Sequence, residues 1–319
     1  MRTYILALIL ILTSCKEKPA GKLDQNSPLE AQSVVTLHIL GTVQDGGSPH
    51  IGCNKSCCAD LFNNPDSDRK VVSLGLVDHE SNKSYLFEAT PDITSQMKLL
   101  KEFSGSIDET PSGIFMTHAH IGHYSGLMYL GREALGAKGV PVYAMPKMQA
   151  FLENNGPWDQ LVALDNIEIR PLENERPIAL SKNIVVTPFI VPHRDEYSET
   201  VGFKIAGPNK SVLFIPDIDK WSRWEKDIVT EIKNVDLAFL DATFFDGDEI
   251  NTRNISEIPH PFVVESISLF QSLPDDERSK IHFIHFNHTN PLLINNSGQR
   301  QIVLDKGFNI ATFNQGFAL

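Results

Sequence analysis

Three histidines lie within six residues of the chain, at positions 118, 120 and 123. Neutral imidazole is the commonest side-chain metal ligand, and a corner after a strand can direct His118 and His120 at one ion while His123 faces a second. The chain holds 11 histidines among 319 residues, so a chance triple in a polar loop is the less favoured interpretation. The cluster predicts a metal centre.

Further candidate ligands follow apolar runs of sequence that are typical of buried strands, whose ends usually carry the chemistry. The predicted metal ligands are His118, His120, His123, His193, Asp217 and His285. Taken singly, a histidine or aspartate at a strand end is more often a hydrogen-bonded surface or capping residue. Taken together, they predict a two-metal site in which Asp217 bridges both ions and lowers the pKa of a shared water. Asp217 and His193 are the predicted catalytic residues.

Three of the four cysteines form a second cluster, Cys53, Cys57 and Cys58. An odd number of thiols cannot all pair, and adjacent cysteines rarely form a disulfide with each other. A structural zinc site of three cysteines and one histidine is therefore favoured over one disulfide with a free thiol. His288 is the preferred fourth ligand, and His50 is the local alternative.

The pattern of apolar residues predicts strands separated by helices. Strands are predicted at Val34–Leu40, Val71–Val77, Ser84–Glu88, Gly113–Met116, Ile184–Val191, Thr200–Ile205, Ser211–Ile215, Leu237–Leu240 and Ile281–Phe286. Helices are predicted at Ile93–Phe103, Ser125–Leu135, Lys147–Asn154, Trp221–Ile232 and Pro261–Leu273. This succession predicts an α/β (α+β) protein with two sheets covered on the outside by helices.

The N-terminus has the pattern of an export signal. Arg2 precedes an apolar run from Tyr4 to Leu12 that is too short to span a bilayer stably, and the run ends in Leu12-Thr13-Ser14-Cys15. This end resembles a bacterial lipobox, which implies lipidation of Cys15; a cleaved soluble signal is the alternative. We therefore expect a lipoprotein signal at residues 1–15 and a flexible tether at 16–33. The chain is then an exported bacterial lipoprotein on the periplasmic or cell-surface side of a membrane.

Residues 34–319 remain for one folded domain, because the sequence contains no internal linker. The apolar content of 41% supports a sizeable core. With a net charge of −12 and no basic stripe, the chain is not expected to bind nucleic acid through its phosphate backbone. A small molecule is the expected substrate. The acidic exterior does not exclude an anionic one, because the charge of a metal centre can outweigh it locally.

The order of the candidate ligands resembles that of the metallo-β-lactamase superfamily, in which an HxHxDH corner is followed by a histidine, a bridging aspartate and a last histidine. The resemblance implies a four-layer αββα sandwich with the metals at the sheet ends. Here Gly122 replaces the corner aspartate. This leaves His123, Asp217 and His285 for the second ion, and predicts a weak site or one tuned to another metal.

Several blocks also resemble the pyrroloquinoline quinone biosynthesis protein B family. They include Leu86–Ile93, Ser125–Met128 with Arg132-Glu133, Thr243–Glu249, Ile258–His260 and Phe283–Pro291. The phosphodiesterase of carbon-phosphorus lyase operons, another relative, joins three clustered cysteines to a histidine three residues after its last catalytic ligand. That resemblance implies that His288 completes the structural zinc site and that His285 belongs to the catalytic centre.

A hydrolase is the leading functional interpretation: a metal-bound hydroxide would attack a phosphodiester, lactone or related ester-like bond. One or two catalytic zinc ions and one structural zinc ion are expected, with iron or manganese as alternatives at the catalytic site. An iron-dependent oxygenase or other redox enzyme of the quinone-cofactor type, or a non-catalytic metal-binding lipoprotein, are the other hypotheses. Asp45 and His260 are candidates for side chains that position the metal ligands, although Asp45-Gly46 is an ordinary turn pair and a turn is the favoured interpretation of Asp45. Asp241 could line the cleft or cap an element, and His38, His79 and His282 are expected to be structural.

Overall fold

We describe a computed structural model that covers residues 33–250 and 258–319. The predicted signal, Cys15 and the predicted tether up to Gln32 lie outside the described residues, so these remain predictions. Among the described residues, no helix is long and apolar enough to cross a membrane.

Fourteen strands and nine α-helices make up the described part of the chain. The strands are β1 (Val35–Gly41), β2 (Ser73–Asp78), β3 (Lys83–Phe87), β4 (Gly113–Phe115), β5 (Val140–Ala144), β6 (Ile167–Pro171), β7 (Ile178–Ala179), β8 (Val185–Ile190), β9 (Val201–Ala206), β10 (Ser211–Ile215), β11 (Leu237–Asp241), β12 (Ile281–Ile284), β13 (Asn309–Ile310) and β14 (Gly316–Ala318). The helices are α1 (Ser56–Ala59), α2 (Ile93–Ser104), α3 (Ile121–Tyr124), α4 (Pro146–Asn154), α5 (Trp158–Ala163), α6 (Ile228–Lys233), α7 (Val263–Phe270), α8 (Asp275–Arg278) and α9 (Gly298–Asp305).

The strands form two mixed sheets of seven. The first has the order β14-β1-β2-β3-β4-β5-β6 and the second has the order β13-β12-β11-β10-β9-β8-β7. In the first sheet β3 to β6 are parallel, and in the second β10 to β13 are parallel. The carboxyl ends of parallel neighbours meet at one edge of a sheet, so residues that follow these strands are brought together.

Alternation along the strands creates four layers. Phe87, Phe115 and Phe214 point into a core between the two sheets. The residues before Phe87 and Phe115, Leu86 and Ile114, face the opposite side, where α2 and α4 pack. A third core lies between the second sheet and its helices, including α7. The αββα sandwich in a single domain, expected from the sequence, is therefore confirmed.

Two of the predicted helices are wrong in part. Residues 125–130 form a 3-10 helix rather than the start of a long α-helix to Leu135. The predicted helix Trp221–Ile232 is divided, because Trp224 is extended and Asp227 caps α6 by accepting a hydrogen bond from Thr230 N. Strands β5, β6, β7, β13 and β14 were not predicted; the last two, and β7, are only two or three residues long.

Candidate metal centre

The predicted ligands converge at one edge of the sandwich because of strand register. In the second sheet Ile215 pairs with Leu240 and Asp241 pairs with Ile284, so Asp217 and His285 leave the sheet on either side of Asp241. In the first sheet β3 and β4 end together, where the histidine corner begins. The two sheets pack face to face, and their loops therefore share one site.

A first group of donors consists of His118, His120, His193 and Asp217. His118 Nε2 lies 2.8 Å from His120 Nδ1 and 3.3 Å from Asp217 Oδ2. His193 Nε2 lies 3.2 Å from Asp217 Oδ1. Ligands around a tetrahedral zinc ion with bonds of about 2.0–2.1 Å are about 3.3 Å apart, so these separations fit a zinc ion at their centre.

Unsatisfied polar atoms in this group also point to a cation. Both ring nitrogens of His193 and Oδ1 of Asp217 are buried without a hydrogen-bond partner among the described residues. The 3.2 Å approach between them lacks hydrogen-bond geometry. Buried polar atoms are normally paired, and a metal ion would satisfy His193 Nε2 and Asp217 Oδ1 together.

A second group consists of Asp45, His123, Asp217 and His285. Asp45 Oδ1 lies 2.9 Å from His123 Nε2 and 3.3 Å from His285 Nε2. Asp217 belongs to both groups, and its Oδ2 lies 3.8 Å from His123 Nε2. The arrangement has the shared carboxylate that a two-metal site requires, and it includes Asp45, for which a turn was the favoured interpretation.

Buried polar residues hold the histidine rings in place. His123 Nδ1 lies 3.1 Å from Glu88 Oε1, and Glu88 also accepts a hydrogen bond from Thr117 Oγ1. On the opposite side Thr243 Oγ1 lies 2.9 Å from His285 Nδ1. The hydrogen bond to Thr243 fixes the orientation and tautomer of the His285 ring and leaves its other nitrogen free to face an ion, whereas Glu88 acts on His123 through its charge.

Two of these residues have an unusual backbone conformation. Glu88 has a φ of 77° and His285 has a φ of 70°, immediately after β3 and β12. The left-handed region is costly for residues with a Cβ and is retained where the surrounding structure enforces it. Both bends turn a strand end towards the cluster.

Charge is distributed unevenly across the site. Burial lowers the pKa of His118 well below its usual value, and the nearby His123 adds to this effect. For His123, burial is outweighed by the carboxylates of Asp45 and Glu88, which raise its pKa. For Asp217, the positive charges of His193 and His260 outweigh burial and hold the pKa well below its usual value. The bridging carboxylate is therefore ionised.

His260 and Asp241 form a buried pair beside the bridging carboxylate. His260 Nδ1 lies 2.9 Å from Asp241 Oδ2 and 3.2 Å from Asp217 Oδ1. Burial would lower the pKa of His260, but Asp241 and Asp217 outweigh it and raise the pKa to about 10. Both residues lie at the cleft, and Asp241 also accepts hydrogen bonds from the backbone N–H groups of Ile218 and Thr243, so it combines the two roles considered for it.

The solvent side of the site is marked by His120. Its side chain is 14% exposed, whereas that of His118 is 1% exposed. Arg194 Nη2 lies 3.4 Å from His120 Nε2, in the exposed loop between β8 and β9. Arg194, Glu88 and Thr243 were not identified from the sequence. Of the three, Glu88 is the last residue of the predicted strand Ser84–Glu88 and could have been found by the strand-end rule that located His285.

The cysteine cluster lies near the same edge of the sandwich, because it groups with His288, which follows His285 by three residues. Cys53 Sγ lies 3.6 Å from Cys57 Sγ, and Cys57 Sγ lies 4.0 Å from Cys58 Sγ. Thiolates around a tetrahedral zinc ion with bonds of about 2.3 Å are about 3.8 Å apart, so the sulfurs fit such an ion. The cysteines are free thiols, and the alternative of a disulfide is not realised.

A histidine lies beside two of the three cysteines. His288 groups with Cys53 and Cys58 but not with Cys57, so the structure brings together three of the four predicted ligands. Its Nδ1 is buried without a hydrogen-bond partner among the described residues. Burial lowers the pKa of His288 to about 4, which favours the neutral ligating form. His50 stacks on His288 with ring centroids 4.4 Å apart, and its Nδ1 accepts a hydrogen bond from Gly52 N. The geometry therefore favours His288 over His50.

The remaining histidines lie apart from these clusters. His38 stacks on Phe103 with ring centroids 4.0 Å apart, and burial lowers its pKa to about 4. His282 packs against Phe239 between the sheets, facing away from His285. His79 Nε2 lies 2.9 Å from Thr36 Oγ1. These three are structural positions, as the sequence predicted.

Comparisons with known proteins agree with this architecture. The family model described as the Beta-lactamase superfamily domain matches residues 83–286. Coenzyme PQQ synthesis protein B of Methylorubrum extorquens is 25% identical over 297 residues, covering 86% of this chain and 96% of the relative. The match to its family, expected from the sequence blocks, is confirmed.

Solved structures share the fold. The zinc-bound PqqB from Methylobacterium extorquens has a TM-score of 0.73 at 23% identity, covering 89% of this chain and 100% of that chain. A diphosphatase from the PhnP family has a TM-score of 0.60 at 22% identity, covering 89% of this chain and 96% of that chain. Both neighbours show that this chain shares their fold.

Proposed function

This chain belongs to the family of the Beta-lactamase superfamily domain, and from that premise we propose that it is a metal-dependent hydrolase of an ester-like bond, with a phosphodiester as the favoured substrate. The observation that carries the proposal is the pair of donor groups that share Asp217 at the mouth of the sandwich. His260 and Asp241 lie directly beside them. A protein that only binds metal needs the ligands alone. This site also has the buried pair of His260 and Asp241, which can donate a proton in a hydrolytic reaction.

Ions bound at the centre would be held by His118, His120 and His193 on one side and by His123 and His285 on the other, with Asp217 between them. Such an ion supplies Lewis acidity and an activated water of pKa about 7. The buried position of the donors excludes bulk water and strengthens every charge interaction at the reacting bond.

The chain's own side chains would supply the remaining steps. His260, whose Nδ1 lies 2.9 Å from Asp241 Oδ2, has a pKa that this carboxylate raises against the effect of burial, and it can give its proton to the departing oxygen. Asp241 holds the ring in position and stabilises its positive charge. Arg194, at the exposed side of His120, would attract and orient an anionic substrate.

The favoured substrate class follows from Arg194. A guanidinium next to the site suits phosphate oxygens through two parallel hydrogen bonds, and a neutral lactone would gain nothing comparable. A phosphodiester is therefore preferred to the lactone and related esters that the same centre could cleave.

The test is turnover of bis-p-nitrophenyl phosphate by the zinc-loaded protein. We expect release of p-nitrophenol, and loss of turnover with an unchanged circular dichroism spectrum in His120→Ala. His79→Ala is the matched control, because it removes a histidine outside the clusters. Stoichiometric zinc binding without turnover of phosphodiester, lactone or thioester substrates would contradict the proposal and favour a metal-binding lipoprotein.

A redox function is the second candidate, and the relatives named Coenzyme PQQ synthesis protein B favour it. Histidine and carboxylate ligands with open positions also suit ferrous iron. Oxygen uptake by the iron-loaded protein with a tyrosine-derived or peptide substrate, and none with zinc, would support this function over hydrolysis.

We also propose that the chain is anchored to a membrane through a lipid on Cys15, on the periplasmic or cell-surface side. The support is the apolar run from Tyr4 to Leu12 and the small residues before Cys15. Membrane fractionation after expression in bacteria tests it: Cys15→Ser should move the protein out of the membrane fraction.

A further inference from the structure

Gly122 and Asp45 occupy one shared volume at the second group of donors. A Cβ added at Gly122 would lie 2.4 Å from Asp45 Cα and 2.8 Å from Asp45 Cβ. The first of these contacts is with backbone, so no side-chain adjustment would relieve it. A side chain at position 122 is therefore incompatible with the present path of the backbone at Asp45.

The carboxylate of Asp45 is directed from this position into the donor group. Its Oδ1 lies 2.9 Å from His123 Nε2 and 3.3 Å from His285 Nε2, and the side chain is 12% exposed. The four ligand atoms of Asp45, His123, Asp217 and His285 lie within 4.8 Å of one another. These separations fit a common ion, since nitrogen and oxygen ligands of a tetrahedral zinc ion are about 3.3 Å apart.

The carboxylates of the group suit a bound cation. Asp45 and Asp217 bring two carboxylates into a largely buried site. Burial of paired carboxylates is unfavourable unless positive charge compensates them. Glu88 lies behind His123 and adds a third buried carboxylate on the far side of that ring. A divalent ion between the two imidazoles would balance the two nearer charges.

We propose that Asp45 is a direct ligand of a second divalent cation, contributed by the loop after β1, and that a glycine at position 122 is required to admit it. The proposal deepens the proposed function, because it completes the second half of the same centre. This donor set of two nitrogens and two carboxylates contains more oxygen than the first set, which has three histidines and Asp217. It therefore suits zinc, manganese or ferrous iron. The sequence prediction of a second site with three ligands is thereby extended to four.

The experiment measures zinc binding without substrate. The full chain is stripped with a chelator, titrated with Zn²⁺ against a chromophoric competitor, and analysed for metal content. We expect three ions in the unaltered protein, and a loss of at least tenfold in the affinity for one ion in Asp45→Asn and Asp45→Ala, of the order found when a group at a metal centre is removed. Asp60→Asn is the matched control, because Asp60 is an exposed aspartate of the same N-terminal region.

Gly122→Ala would place its Cβ 2.4 Å from Asp45 Cα, so this variant should weaken the binding of the same ion. Unchanged affinity for all ions in Asp45→Asn and Asp45→Ala would overturn the proposal, and unchanged affinity in Gly122→Ala would show that the glycine is not required. Asp45→Asn keeps the size of the side chain, so it remains informative where Asp45→Ala fails to fold. Because no substrate is used, these outcomes do not depend on whether the protein is a hydrolase.

Discussion

His285 and His288 are three residues apart on one short segment, yet they belong to two different donor clusters. His285 faces Asp45 at the second group of the catalytic centre, and His288 faces Cys53 and Cys58. Asp45 and Cys53 are in turn joined by a single loop. The loop from Asp45 to Cys53 and the segment from His285 to His288 therefore both connect the cysteine cluster to the second group of donors. An ion held by the cysteines would position both Asp45 and His285.

Loss of the cysteine cluster should destabilise the protein and weaken the second ion. In Cys53→Ser or His288→Ala we expect one zinc ion fewer per chain, a melting temperature lower by several degrees, and weaker binding of one further ion. The cause is that a metal bound only by the folded state contributes its binding free energy to folding. Elemental analysis and thermal unfolding check this. His50→Ala is the control: it stacks on His288 without joining the donor group, and should keep the full metal content.

The bridging carboxylate should control both catalytic ions together. Asp217→Ala removes the one residue common to the two donor groups, so we expect the loss of both ions with the cysteine-bound zinc retained. The measurement is metal content by elemental analysis. Asp219→Ala is the control, since Asp219 is also buried but pairs with Arg223 outside the clusters. A variant Asp217→Ala that keeps two catalytic ions would contradict the bridging role.

The role of His260 as proton donor can be tested by changing the leaving group of the substrate. His260→Ala should lower kcat about 10²–10⁴-fold for a phosphodiester with a poor leaving group, because general acid catalysis contributes about that much. With p-nitrophenolate, which departs without a proton, the loss should be much smaller. Comparing kcat for phenyl and p-nitrophenyl esters separates the two. An equal loss for both substrates would mean that His260 only maintains the site.

The outline of the centre could be predicted from the sequence because each ligand follows a regular element. His193, Asp217 and His285 come after apolar runs, and alternation in these runs forms the layers that bring their ends together. The same rule explains the precise match of β10 with its predicted range, and the near matches of β1 and α2. The local pattern of apolar residues is enough to predict a site residue whose position is fixed by a strand.

The role of Asp45 could not be predicted in this way. Asp45-Gly46 is an ordinary turn signal, and Asp45 is 78 residues from His123 in the chain. Gly122 was interpreted as the loss of a ligand, because the sequence does not reveal that another residue fills the space that a side chain would need. Arg194 escaped notice for a similar reason, since a charged residue in an exposed loop carries no signal until its neighbour is known.

Acid sensitivity should arise in part from Asp78, far from the metal centre. Asp78, at the end of β2, accepts hydrogen bonds from Ser181 Oγ at 2.6 Å and from Asn183 Nδ2 at 3.2 Å, and so ties the first sheet to the turn before β8. Burial would raise the pKa of Asp78, but hydrogen bonds from Ser181, Ser81 and Asn183 outweigh it and lower the pKa. The ionised form is thus favoured by folding.

The sign of the effect follows from this shift. Because the folded pKa is below the unfolded value of about 3.9, the stabilisation is fully present above that pH and is lost as the pH falls through the folded pKa. Asp78→Ala should lower the free energy of unfolding at pH 7 by about 1–3 kcal/mol, the usual cost of losing hydrogen bonds to a charged group and leaving its partners unpaired. The difference from the unaltered protein should shrink as the pH approaches 3. Urea unfolding at several pH values measures it, and a difference that stays constant down to pH 3 would show that the carboxylate charge is not the cause.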